Sequence, residues 1–124
     1  MMWIQQPFDE FLGYTYNRLS DGEVEVGLEV KDLYVNSAGV IHGGIISSLA
    51  DVAMSNLVPA DENGVQQMVT VDLNVSFLRA ARGQSLRAVA KLEKDGRTLV
   101  HAICTVYDEQ DRPVASAKGI FCRI

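Results

Sequence analysis

Histidine and cysteine are scarce in this chain, two of each, and His42, His101, Cys104 and Cys122 show no spacing that would gather them as metal ligands. Metal catalysis is therefore disfavoured, and no cofactor is expected. Both cysteines fall in alternating apolar stretches, so they read as inert core thiols in a reducing compartment rather than as a disulfide scaffold. Basic residues are also few: 11 Lys and Arg stand against 16 Asp and Glu, a formal net charge of -5, which leaves no electrostatic footprint for nucleic acid. No apolar run reaches the ~20 residues a bilayer span requires, because the longest one contains Asp51 and several serines. The opening MMWIQQPFDEF lacks a basic region followed by an apolar run, so neither a secretory signal nor an anchor is expected. Repeats, linkers and low-complexity segments are missing too. The expectation is one soluble cytoplasmic domain over residues 1–124, with one hydrophobic core and neither membrane nor nucleic acid as a partner.

What is present is periodicity. After a short N-terminal segment around PFDEFLG, EVEVGLEV alternates, with Val24, Val26, Leu28 and Val30 on one face and Glu23, Glu25 and Glu29 on the other. Asp21-Gly22 is a hairpin turn signal, so YTYNRLS is its antiparallel partner. From Gly43 to Val58 the apolar spacing becomes helical, and Pro59 marks the end. MVTVDLNVSFL then returns to a period of two, placing Val69, Val71, Leu73, Val75 and Phe77 on one face and Thr70, Asp72, Asn74 and Ser76 on the other. SLRAVAKLE, a turn at Lys94-Asp95-Gly96, TLVHAICTVYD, a turn through Glu109 to Pro113, and VASAKGIFCRI complete the chain. Two strands, one long helix and four strands predict an α+β fold in which an antiparallel sheet curls around the helix. Ile45, Ile46, Leu49, Ala50, Val52, Ala53, Met54, Leu57 and Val58 occupy most of the helix circumference. Only a wrapping sheet, or a sheet plus a second subunit, would cover them.

One acid interrupts this helix. Gly44, Ser48, Asp51 and Ser55 form its single stripe of small or polar residues. Such an acid can be structural, paired to a neighbouring Ser or to an Arg. Aspartate is nevertheless a poor helix former, and burying its charge is costly, so its position points to chemistry. The helix opens with His42-Gly43-Gly44, where backbone N–H groups are free and the dipole is positive. Without a Cβ, Gly43 would let a carbonyl approach its N–H, as in an oxyanion hole; the same glycines would equally serve a sharp entry into the helix. Gly43 and Asp51 are eight residues apart, or roughly 12 Å along a helix axis. One chain cannot aim both at the same carbonyl. If they cooperate, Asp51 of one subunit meets Gly43 of another across a two-fold dimer with two equivalent sites.

The segments NSAGVIHGGIISSLAD and TVDLNVSFLRAARG, at this spacing, resemble the hotdog-fold acyl-CoA thioesterases of the PaaI-like and 4-hydroxybenzoyl-CoA thioesterase type. The likeness extends over nearly the whole chain, since strand, strand, helix, four strands is the hotdog order. It implies hydrolysis of an acyl-CoA thioester, with coenzyme A as part of the substrate, in a dimer or a dimer of dimers. Asp51, nine residues after His42, would be the nucleophile or the base that activates water, and Gly43 the oxyanion donor. Asn36 would orient the water or the thioester, and His42 would hold the loop and the site together. Thr70 stands where the family has Ser and would position water, while Ser55 matches a hydroxyl position of some members. The acyl group would lie beside Met54 and Val58. The phosphates of the CoA arm would meet Arg79, Arg82 and Arg97, which are otherwise ordinary hairpin charges.

Two other readings fit less well. A hotdog dehydratase or hydratase typically pairs a His with an acid, and His101 lies on a late strand where a core or surface role is expected. A non-catalytic acyl-CoA sensor would need a fused regulatory module, for which 124 residues leave no length.

Overall fold

A computed structural model describes residues 2–124. The elements run α1 (Pro7–Leu12), β1 (Thr15–Ser20), β2 (Glu23–Glu29), a 3-10 turn (Asp32–Tyr34), α2 (Gly43–Ser55), β3 (Met68–Phe77), β4 (Ser85–Asp95), β5 (Leu99–Asp108) and β6 (Pro113–Arg123). All six strands form one antiparallel sheet in the order β1-β2-β4-β5-β6-β3. The sheet wraps α2, which touches β2, β3, β4, β5 and β6. This is the hotdog fold expected from the sequence.

The inner face of the sheet explains how a helix fits against so many strands. Alanines at 88, 90, 102, 115 and 117 are buried there, among the larger Val24, Val26, Leu28, Val100, Val106 and Phe121. Small side chains in the central strands leave room for the helix backbone to approach, and Ile46, Leu49, Ala50, Ala53 and Met54 fill it. Cys104 lies in this layer, and burial pushes its thiol up to about 12, so it is an unreactive core group. Tight turns follow from local chemistry. A side chain at Gly96 would run into the Leu99 carbonyl, so the β4–β5 turn requires glycine.

Three features depart from the sequence reading. Helix α2 ends at Ser55 rather than Val58, because Asn56 folds its amide back onto the Val52 carbonyl (2.9 Å) and accepts the Ile4 N–H (2.9 Å). The Arg18 guanidinium then holds the carbonyls of Asn56 (2.7 Å) and Leu57 (3.3 Å). The segment PFDEFL forms a short helix, bounded by Pro7 in the first turn and by left-handed Gly13 (φ 76°). The third departure is in β3. Its pairing with β6 slips between Thr70, opposite Phe121, and Asp72, opposite Ile120, leaving Val71 as the extra residue of a β-bulge. Thr70, Leu73, Val75 and Phe77 therefore share the helix-facing side with Phe121, Gly119, Ala117 and Ala115, and Val69 does not. Simple alternation had put Thr70 on the other face.

β3 is an edge strand, with β6 on one side and no strand on the other among the described residues. Val71 and Phe77 are more than half exposed on it, and Leu78 just beyond.

Candidate active site

The bulge brings Thr70 to Asp51. Its hydroxyl donates to Asp51 Oδ1 at 2.7 Å. Burial in α2 raises the Asp51 pKa above the ordinary carboxylate value, and the Thr70 hydrogen bond, which favours the charged form, works against that rise. Asp51 is thus a half-buried acid oriented by a hydroxyl on the neighbouring strand. Ser48 and Ser55, one turn to either side, are half-buried too, and Gly44 at the head of the stripe is exposed. This stripe is the middle of the side of α2 that the sheet of the same chain covers least.

The other half of the predicted site gathers at the opposite end of α2 and β3. Gly43 is the first residue of the helix, and the Phe77 ring lies against it: a Cβ at Gly43 would meet Phe77 Cζ at 3.1 Å. The Gly43 N–H donates to no group among the described residues, as expected in the first turn of a helix. Asn36, Ile41, Gly43, Phe77 and Arg79 line a cavity of about 430 Å³ here. Asn36 Oδ1 accepts the N–H groups of Ala38 (2.9 Å) and Val40 (3.1 Å), which fixes the loop and turns the amide nitrogen outward from those bonds. His42 caps α2 through its backbone: its N–H donates to the Tyr34 carbonyl at 2.8 Å, and its carbonyl accepts from Ile45 and Ile46. Its imidazole is exposed and makes no cap.

Phe77 was not singled out among the candidate site residues. It is an apolar residue at the inward end of a strand, which by pattern alone reads as core.

The remaining candidates scatter. Met54 is fully buried against Gly119 of β6, a core side chain rather than the wall of an open pocket. Val58 lies beyond the helix end and is half-buried against the core. Arg82 donates to the Gly39 carbonyl at 3.1 Å, next to the Asn36 loop, and Arg79 lines the Gly43 cavity. Arg97 does not join them. It sits in the β4–β5 turn beside Arg123, which pairs with Met68 at the far end of β3 from Phe77. His101 pairs with Ile120, on the sheet face opposite the one that carries Thr70, so it does not meet Asp51 within the chain.

Comparison with known proteins identifies the family. The family model described as the thioesterase superfamily matches residues 38–115, a span that holds Gly43, Asp51 and Thr70. A Pseudomonas aeruginosa protein described as a candidate esterase is 33% identical over 80% of this chain and 74% of its own length. The medium/long-chain acyl-CoA thioesterase YigI of Escherichia coli is 25% identical over 98% of this chain and 88% of its own. A Bacillus halodurans protein whose crystal structure contains CoA superposes with a TM-score of 0.84 at 29% identity, covering 97% of this chain and 80% of that one. The chain belongs to the thioesterase superfamily. It is a hydrolase acting on thioester bonds.

Proposed function

We propose that this protein hydrolyses acyl-CoA thioesters at sites shared between two copies of the chain, with Asp51 as the catalytic carboxylate and the Gly43 N–H as the oxyanion donor. The observation that carries this reading is the half-buried Asp51, held by Thr70 on the least covered side of α2. Acyl-CoA as substrate is supported by the E. coli relative and by the CoA bound to the B. halodurans protein.

The positions of the half-sites support such an assembly. Asp51 and Thr70 lie at one end of the exposed edge of β3, and Gly43 and Asn36 at the other. Two β3 edges running antiparallel about a two-fold axis would bring the Asp51 end of one copy to the Gly43 end of the other, and would cover Val71 and Phe77.

In such a site the thioester carbonyl accepts the Gly43 N–H, and the positive end of the α2 dipole stabilises the oxygen as it gains charge. Asp51 either takes a proton from a water that attacks the carbonyl carbon, or attacks that carbon itself to give an anhydride that water then opens. Both routes expel CoA as a thiolate and release the free acid. In this reading the Asn36 amide nitrogen donates to the water or to the thioester oxygen.

Thiol release from phenylacetyl-, 4-hydroxybenzoyl- and octanoyl-CoA is the primary test. Release from at least one is expected, and release from none would sink the proposal. A finer check uses Thr70→Val. Losing a hydrogen bond to the charged form moves the Asp51 pKa further up, so the acid limb of the kcat/KM profile shifts to higher pH and the rate loss grows as the pH is lowered. An unmoved acid limb would detach Thr70 from Asp51 function.

A further inference from the structure

Phe77 takes no part in the chemistry proposed above, yet it lies against the residue that supplies the oxyanion donor. It ends β3 on the helix-facing side, opposite the small Ala115 of β6, and more than half of it is exposed. Its ring sits over the first residue of α2: a Cβ at Gly43 would stand 3.1 Å from Cζ, 3.4 Å from Cε1 and 3.7 Å from Cε2. The Gly43 backbone does not itself call for glycine. Its φ lies outside the left-handed region, and alanine is the better helix former. What a side chain at position 43 would meet is the ring.

Ring and glycine belong to one cavity, the one of about 430 Å³ at the head of α2, which is within the roughly 300–1,000 Å³ typical of small-molecule pockets. Its apolar walls include Val40, Ile41, Ile46, Phe77 and Leu78. Ile41 and Ile46 are fixed parts of the core, whereas Phe77 and Leu78 are open to solvent. A large exposed ring beside a free N–H is a surface that an apolar group would cover. Met54, in contrast, is sealed within the core. Thr70 and Phe77 share one sheet face at opposite ends of β3. In the antiparallel pairing proposed above, the Phe77 ring of one copy therefore stands between its own Gly43 and the Asp51 end of the other copy.

We propose that Phe77 is a specificity-determining residue: its ring is the wall on which the acyl chain packs beside the oxyanion donor, so the site prefers apolar acyl groups long enough to cover it. Glycine stands at position 43 to give the ring its place. The inference rests on the acyl-CoA reading and adds a substrate class to it. An acetyl group ends one carbon beyond the carbonyl and cannot cover a phenyl ring. An octanoyl chain can, and the apolar area removed from water favours its reaction. The same contact makes position 43 a second determinant of chain length, because alanine there keeps the N–H but pushes the ring aside.

The test measures kcat/KM for acetyl-, butyryl-, hexanoyl- and octanoyl-CoA with the full chain and takes the octanoyl-to-acetyl ratio. That ratio is expected to exceed about ten in the wild type and to fall about tenfold in Phe77→Ala, with Phe77→Leu in between. Gly43→Ala should lower the ratio too. Combining it with Phe77→Ala should give the same ratio as Phe77→Ala alone, since both changes act on one contact. A loss that is equal for every chain length, or effects of the two substitutions that simply multiply, overturns the proposal. Phe77→Leu keeps an apolar side chain, so it serves if Phe77→Ala does not fold. Binding is read separately by calorimetry with the non-hydrolysable thioethers S-ethyl-CoA and S-octyl-CoA. A preference for the S-octyl compound that Phe77→Ala removes, without turnover of any thioester, would support the wall and count against the hydrolytic reading. Turnover with an unchanged ratio in Phe77→Ala does the reverse.

Discussion

Asp51→Asn is expected to lower kcat for thioester hydrolysis by about 10²–10⁴-fold, the range of a lost general base, while making the protein more stable at neutral pH. The two effects share one cause. Asp51 is held where burial raises its pKa, so its charged form is less favourable in the folded chain than in the unfolded one. For a carboxyl with a raised folded pKa, the penalty is absent below the unfolded value of 3.8, grows as pH rises through the folded value, and is complete above it. Asparagine keeps the Thr70 hydrogen bond and removes the charge. A gain of about 2–5 °C in Tm at pH 7 is therefore expected, shrinking as the pH is lowered toward 4. Thermal melts at both pH values and thiol-release kinetics check the pair of outcomes. Near wild-type turnover in Asp51→Asn would end the catalytic assignment. A fall in Tm at pH 7 would instead show that the charge is matched in the folded state.

The second large effect concerns assembly. Asp51→Asn and Gly43→Pro are each expected to be inactive, and mixing them should restore activity. Proline suits the first position of a helix, so Gly43→Pro removes the N–H without breaking α2. In a heterodimer one site combines the intact Gly43 of the first chain with the intact Asp51 of the second, and the other site carries both lesions. About half of randomly paired dimers are mixed, so recovery of about a quarter of wild-type activity is expected. Thiol release from refolded mixtures, with heterodimers verified by native mass spectrometry, provides the measurement. If verified heterodimers stay silent, each chain must complete its own site. The roughly 12 Å between Gly43 and Asp51 along the helix would then need another explanation.

Much of this molecule is legible in its sequence, for reasons that also mark where legibility stops. The strands around Val24–Leu28 and Leu86–Leu92 and the helix from Gly43 appear because periods of two and of 3.6 are written directly in the apolar residues. Asp51 stands out because an acid in an otherwise apolar helix contradicts its surroundings. Helix α1 spans only six residues, too few to show a period, although Pro7, the acids Asp9 and Glu10, and Gly13 are the boundary signals such a helix would have. The burial of Asp9 and Tyr14 is not legible either, because it depends on how the N-terminal segment folds against β1 and the end of α2. Arg97 shows a similar limit: charge can be read from sequence, but the end of the sheet at which a turn lies depends on topology.

The bulge in β3 has an unusual arithmetic. In sequence, the strand alternates without interruption from Val69 to Phe77, yet in the sheet its phase slips once, at Val71. Because Thr70 and Asp72 already face the consecutive residues Phe121 and Ile120, Val71 is the one residue of β3 whose loss would leave every other pairing as it stands. A chain lacking Val71 would keep the Thr70 hydroxyl turned toward Asp51, and Leu73, Val75 and Phe77 toward the core, while the strand straightens. That deletion would separate the two things the bulge provides: the orientation of a hydroxyl, which would persist, and the bend of an exposed edge, which would not. A shortened chain that folds but no longer pairs, and loses thioester hydrolysis with the pairing, would assign the curvature of β3 to the fit between subunits.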